Sequence, residues 1–220
     1  MELKFDFLST YWPFYVEGLK ITIIFSICAV IFGIILGIAL ALMKLSKLRV
    51  LRGVAVSYIN FVRGTPILVQ IYIVYFGLFS FGINLSDSTA GIAALAINSG
   101  AYVAEIVRAG ILAVDKGQTE AGRSLGLSKA QTMIYIVIPQ AIKNVLPPIG
   151  NEFIVLLKET AIVGYVSLTD LTRAANQISS RTYEAFMPLI GAAVIYFVII
   201  KILTNLLGVL ERSLRKSYNR

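Results

Sequence analysis

The chain has no histidine, one cysteine and few charges: 20 Lys and Arg and 12 Asp and Glu in 220 residues. Each scarcity removes a class of function. Without histidine, zinc and haem lose their commonest ligand, and acid–base catalysis loses its usual proton carrier. The lone Cys28, set in an apolar run, has no intrachain disulfide partner and builds no thiolate cluster. A charged content of 15% lies well below the roughly 25% of an ordinary globular domain. A disordered chain, a disulfide scaffold and a typical cytosolic enzyme are thereby excluded. What is abundant is apolar: 57% of residues are hydrophobic and the mean hydropathy is +0.80. The composition predicts an all-α integral membrane protein of one domain, residues 1–220.

A helix needs about 20 apolar residues to cross a hydrocarbon core about 30 Å thick. Runs 21–43 and 64–86 contain no charge, and 88–104 continues past Glu105 towards Ala113. Run 130–157 is interrupted by Lys143 and Glu152, and run 185–210 by Lys201. These predict five spans over about 14–43, 55–80, 88–113, 130–158 and 185–211.

The positive charges follow the loops. Loop 44–53 carries Lys44, Lys47, Arg49 and Arg52 with no acid, and loop 108–129 carries Arg108, Lys116, Arg123 and Lys129. The C-terminal tail holds Arg212, Arg215, Lys216 and Arg220, loop 79–90 has Asp87 and no base, and loop 158–184 is mixed. The positive-inside rule then puts the N-terminus outside and the C-terminus in the cytoplasm of a multi-pass protein. The net charge of +8 is accounted for by topology, so no nucleic-acid partner is called for. The first 20 residues contain Glu2, Asp6 and Glu17 against Lys4 and Lys20. That pattern reads as a retained anchor rather than a cleavable signal. Tyr11, Trp12, Phe14 and Tyr15 fit an interfacial aromatic belt.

The most informative stretch is 113–140, AVDKGQTEAGRSLGLSKAQTMIYIVIPQ. A short element begins at Glu120-Ala121-Gly122 and ends at Gly126, a natural C′ glycine. Ser128 with Gln131 makes a capping box for the long helix that follows. Glu120-Ala121-Gly122, Gly126 and Ile138-Pro139 resemble the EAA loop of ATP-binding-cassette (ABC) importer permeases. Around them stand Phe61-Val62-Arg63-Gly64-Thr65-Pro66, the run 98–108, Pro139-Gln140-Ala141 and Pro147-Pro148-Ile149-Gly150-Asn151-Glu152-Phe153. In order over roughly 14–211, these resemble the polar amino-acid uptake subfamily, the histidine/glutamine/arginine type. Gly122 replaces the second alanine of the family motif, and Ile138-Pro139 stands where Leu-Pro is commoner.

The resemblance implies a type I importer transmembrane domain with a coupling loop at 115–128. It further implies a second permease subunit in a homo- or heterodimer, two cytoplasmic ATPase subunits and an extracytoplasmic amino-acid-binding protein. Coupling to the ATPase falls on Glu120, Ala121, Gly122 and Gly126. The chain contains no G-x-x-x-x-G-K-[ST] phosphate loop, so ATP and Mg are expected on the partner ATPase and no catalytic residue or metal ligand here. The implied location is the bacterial cytoplasmic (inner) membrane.

Polar groups at bilayer depth are costly and usually functional. Asn98, Tyr102 and Glu105 fall at i, i+4, i+7 on one helical face. Asn151, Glu152, Val155, Lys158 and Glu159 share another, beyond Pro147 and Pro148, which are expected to kink or break their helix. The two faces predict a substrate path through Asn98, Tyr102, Asn151, Glu152 and Val155. Glu152 suits the cation of a basic amino acid; pairing with Lys143 or a neighbouring subunit is its structural reading. Glu105 is expected to pair with Arg63 or Arg108, and Lys158 and Glu159 to form a gate-type or structural ion pair. Arg63-Gly64-Thr65-Pro66 reads as an interrupted entry to the second span. A stand-alone ion-coupled carrier or channel is the alternative function, and a non-transporting scaffold a third.

Overall fold

A computed structural model describes residues 7–166 and 168–216. The charges called at Glu2, Lys4, Asp6 and Arg220 lie outside them, as do the side chains of Arg215 and Lys216. We label the helices α1 (Phe7–Leu45), α2 (Arg49–Arg63), α3 (Ile67–Ser80), α4 (Asp87–Leu112), α5 (Lys116–Ser124), α6 (129–159), α7 (Leu171–Thr182) and α8 (Phe186–Lys216). α3 contains a π turn at Ile73–Gly77 and α6 one at Met133–Val137; a 3-10 segment, Thr160–Val166, leads from α6 towards α7.

Among the described residues, length and apolarity mark three helices as able to cross a membrane: Ser9–Leu45, Asp87–Leu112 and Phe186–Leu214. The pair α2–α3 adds a fourth if it is counted as one bent span. α6 is long enough, but Lys143, Glu152, Lys158 and Glu159 interrupt its apolar character.

α4 is the centre of the molecule. Two-thirds of its most apolar window is buried, against 17% for α8. Its most extensive partner is α1, and the contact is close because both surfaces are small. A methyl added at Gly33 would lie 2.8 Å from Ser99 Oγ, and one at Gly37 only 2.6 Å from Val103 Cγ1 and 3.0 Å from the Ala104 amide. Gly33 and Gly37 form a G-x-x-x-G step on α1. In lipid such steps let backbones approach where apolar surface alone gives helices no reason to associate. The same pair of helices supplies Phe25, Ala29, Ala94 and Leu95 to the main apolar core, which Ile71, Leu156 and Val163 complete.

Three expectations meet the structure here. The interruption expected at Arg63-Gly64-Thr65-Pro66 is present, and 55–80 is therefore not one helix: the chain turns by 111° between α2 and α3. Pro66 lacks an amide donor and disfavours helical geometry at Thr65, and Thr65 Oγ1 instead donates to the Phe61 carbonyl (3.0 Å). The fourth span is not broken at Pro147 and Pro148, because Ile138–Glu159 runs through both. The irregular turn lies at Met133–Val137, ending two residues before Pro139, where widening the ladder accommodates a ring that would clash with the carbonyl four residues back. Finally, most of loop 158–184 is helical. Asp170 caps α7 by accepting from the amides of Thr172 (2.8 Å) and Arg173 (3.1 Å). Thr22 of α1 accepts from the Leu171 amide (3.1 Å), and Tyr196 of α8 donates to the Asp170 carboxyl (3.3 Å). Burial raises the Asp170 carboxyl above the ordinary range, against the lowering effect of these donors. A second apolar cluster of Tyr15, Leu171, Ala175, Ile178 and Ala192 then packs α7 onto α1 and α8.

The Gly37 contact gives the first test. Gly37→Leu is expected to cost about 1–3 kcal/mol by overpacking, seen as a lower thermal midpoint in detergent. The same change at Gly53, whose surroundings are open, is expected to leave the midpoint nearly unchanged.

Candidate functional site

The polar residues of α4 are distributed over its length and each meets a different helix. Asn98 is buried (3% exposed), and its amide donates to Gln70 Oε1 of α3 (2.9 Å). Gln70, itself buried, donates to the Val62 carbonyl (2.7 Å), the Thr65 carbonyl (3.0 Å) and Thr65 Oγ1 (2.9 Å). One side chain therefore satisfies carbonyls that the α2–α3 break leaves without helical partners and ties them to Asn98. The sequence reasoning missed Gln70. The signal for it was an amide set mid-run in the uncharged stretch 64–86, where the other amide, Asn84, stands at the far end.

The site is only partly satisfied. Asn98 Oδ1 and Ser99 Oγ are buried and make no hydrogen bond of ordinary geometry. Ser99 lies beside the Glu152 carboxyl of α6, and Glu152 is 7% exposed. α4 thus brings Asn98 and Ser99 between Gln70 on one side and Glu152 on the other. Of the remaining residues called on α6, Asn151 and Lys158 are exposed, while Val155 and Glu159 are half-buried. Glu159 Oε2 is buried without a hydrogen-bond partner. Lys158 influences the Glu159 charge electrostatically, but the two close no ion pair.

One turn further along α4, the Arg63 guanidinium stacks 5.2 Å over the Tyr102 ring. Arg63 does not pair with Glu105. Glu105 instead takes Arg108, at 2.9 Å, and Lys44 of α1. The expectation of an Arg108 pair is met. Lys44 was counted only as a loop charge, although it ends α1 at the level where α4 carries Glu105. The polar face, with Tyr102 36% exposed and Asn151 and Lys158 uncovered, lies open on the single chain. The two described cavities are elsewhere: about 400 Å³ lined by Tyr75, Phe79, Asn84 and Asp87 among others, and about 350 Å³ lined by Tyr165, Thr172, Arg173 and Asn176 among others.

The loop between α4 and α6 is a separate feature. α5 starts at Lys116, not at Glu120, because Asp115 caps it by accepting from the Gly117 amide (2.6 Å). It ends in a C-terminal reversal: Gly126 has φ +86°, and the Leu127 amide donates to the Gly122 carbonyl (3.1 Å). The Ser128–Gln131 capping box is present as expected. Glu120, Ala121, Gly126 and Leu125 face outward. Gly122 does not. It is buried against its own chain, and a methyl there would meet Ile136 Cδ1 at 2.7 Å and Thr132 Cγ2 at 3.0 Å. The small residue at this position lets α5 dock closely on α6.

A family model described as binding-protein-dependent transport system inner membrane component matches residues 29–216. The chain is 44% identical to the arginine transport system permease protein ArtQ of Bacillus subtilis, covering 99% of this chain and 100% of that one. It is 42% identical to the putative glutamine transport system permease protein GlnP of Rickettsia bellii, covering 96% and 98%. Among solved structures it matches an amino acid ABC transporter crystallised with histidines: 51% identity, TM-score 0.93, covering 97% of this chain and 100% of that chain. The MetNI methionine ABC transporter shares the fold at 17% identity and TM-score 0.72.

Gln70→Leu removes one amide, leaves the Asn98 amide without its acceptor and leaves the Val62 carbonyl only the long bonds from Thr65. It is expected to cost about 1–3 kcal/mol, read as a lower thermal midpoint of the purified protein. Gln70→Glu, which keeps the shape and one acceptor but loses the donor, is expected to be nearly as damaging.

Proposed function

We propose a route and a coupling scheme for this chain, which belongs to the binding-protein-dependent transport system inner membrane component family and is the membrane-spanning permease subunit of an ABC importer for amino acids. The observation that carries the reading is the partly satisfied polar patch of Asn98, Ser99 and Glu152 inside an otherwise apolar helix pair. Acceptors left open at that depth are expensive unless something fills them intermittently. An amino acid passing along Asn98, Tyr102, Asn151, Glu152 and Val155 would supply donors to them. The face is open on the single chain, so a second permease subunit is what encloses the route, with α6 as the fifth crossing.

In this scheme the N-terminus lies outside and the C-terminus in the cytoplasm of the bacterial inner membrane, and an external binding protein delivers the cargo. Two ATPase subunits bind ATP and Mg and engage the outward face of α5 at Glu120, Ala121, Leu125 and Gly126. The capping of α5 at Asp115 and the packing of Gly122 on α6 make α5 and the inner end of α6 one unit. A push on α5 is therefore transmitted to the helix that holds Glu152, giving alternating access. At the inner end of α4, Glu105 with Lys44 and Arg108, and Arg63 over Tyr102, tie α1 and α2 to α4 and form the inner constriction. A buried carboxylate favours a cationic cargo, so basic amino acids are the assigned substrates.

Two outcomes test this. A hydrogen bond to a charged group is worth about 1.5–3 kcal/mol. Glu152→Gln is therefore expected to lower uptake of arginine or lysine by about ten-fold or more and that of glutamine much less, measured in vesicles containing the full complex. Equal losses would overturn the cation reading. Gly126→Val places a β-branched residue at φ +86°, which costs roughly 1–2 kcal/mol or more. Substrate-stimulated ATP hydrolysis is expected to fall while membrane insertion and yield persist.

A further inference from the structure

α2 carries three faces; the fold buries one of them, and of the basic side only Arg63, at the last turn, is engaged, over Tyr102. Ala55, Ile59 and Val62 are buried, and the first two join Leu40, Ala41 and Ala104 in a small apolar cluster. Tyr58, at the edge of this face, donates to the Ile97 carbonyl of α4 (2.8 Å). On a second face Val50 (78% exposed), Val54 (56%) and Phe61 (61%) form an uncovered apolar row. Arg49 and Arg52 are exposed and lie off the apolar row, Arg52 bordering the buried face and Arg49 farther round the helix, with the exposed Lys47 just before it. No acid occurs between Glu17 and Asp87, so nothing along this part of the chain neutralises them.

We propose that α2 lies in the membrane–water interface and binds anionic phospholipid, with Val50, Val54 and Phe61 among the acyl chains and Arg49 and Arg52 on the headgroup phosphates.

Geometry and charge select this occupant. α1 ends at Leu45 after a 37-residue apolar helix, so α2 begins where that helix leaves the bilayer. The 111° turn into α3 sets α2 across the direction of its neighbouring crossing segment, and 15 residues make it about 22 Å long. An apolar stripe beside a basic one, on a helix in that attitude, is the pattern of an interfacial helix. A second copy of this chain would bring the same uncompensated arginines to the contact, which disfavours it. Anionic headgroups complement them. The buried face and the Gln70 bonds fix the helix in its rotational setting, so the apolar row cannot turn inward.

The full chain, reconstituted in vesicles of phosphatidylcholine and phosphatidylglycerol, supplies the test. In Trp12→Phe/Phe61→Trp the sole tryptophan reports on the apolar row. Lipids brominated near the headgroup end of their acyl chains are expected to quench it strongly; absence of quenching overturns the proposal. Val50→Trp in the same background gives the same readout if the Phe61 variant does not insert. Arg49→Gln/Arg52→Gln is expected to weaken retention of phosphatidylglycerol roughly five-fold per arginine, the factor that about 1 kcal/mol per charge at an anionic surface represents. Retention unchanged in native mass spectrometry overturns the headgroup contact. Efficient cross-linking of two chains through Cys28→Ser/Val54→Cys would assign the row to a second copy and overturn the lipid assignment.

Discussion

The close approach of α1 to α4 is the contact on which the remainder of the molecule is arranged. It rests on Gly33 and Gly37, whose missing side chains admit Ser99, Val103 and the Ala104 backbone. In lipid, apolar surface gives helices little incentive to associate, so van der Waals contact between small residues carries the association. Once the two helices are in register, Asn98, Ser99, Tyr102 and Glu105 have fixed heights. α1 then offers Lys44 to Glu105 at one end and Thr22 to the capped start of α7 at the other. The polar features of the chain are organised around this one apolar interface.

A second constraint is that each helix break must satisfy its own backbone. At the α2–α3 turn this falls to Thr65 and Gln70, and Gln70 in addition holds Asn98. Asp170 and Thr22 do the equivalent at the start of α7, and the capping box does it at the start of α6. Against this background of careful satisfaction, the open acceptors of Asn98, Ser99 and Glu159 stand out. They cluster on the elements that the import reading assigns to cargo. On the same two helices Tyr102, Asn151 and Lys158 are left exposed by the single chain. A permease that works as part of a larger assembly has this combination of completed joints and an incomplete face.

Much of this was legible in the residues. Long uncharged runs gave the crossing segments because the cost of burying charge in lipid is large and local to the sequence. Gly126 and the Ser128–Gln131 pair were legible because caps depend on neighbours three or four residues away. Pairing across helices was less so. Glu105 was assigned Arg63 or Arg108, yet Lys44, 61 positions earlier, takes part and Arg63 stacks on Tyr102 instead. Helical periodicity places residues on a face without saying which other helix that face meets. The prolines at 147 and 148 do not break α6, which runs through both: a local signal for a break is overridden when the helix on either side is long enough to continue.

The sequence by itself determined that this is a membrane-spanning helical chain, where its apolar segments run, how the α4–α6 loop is capped and which family motif it carries. All of these follow from composition and short-range periodicity. The tertiary structure decided that Gly122 of α5 packs on α6, that Gln70 links the α2–α3 turn to Asn98, that Glu152 meets Ser99, and that α2 leaves one apolar face and two arginines uncovered. Those facts depend on helix rotation and on contacts between segments distant in the chain. Close packing of small residues sets both, and a one-dimensional pattern does not contain that information.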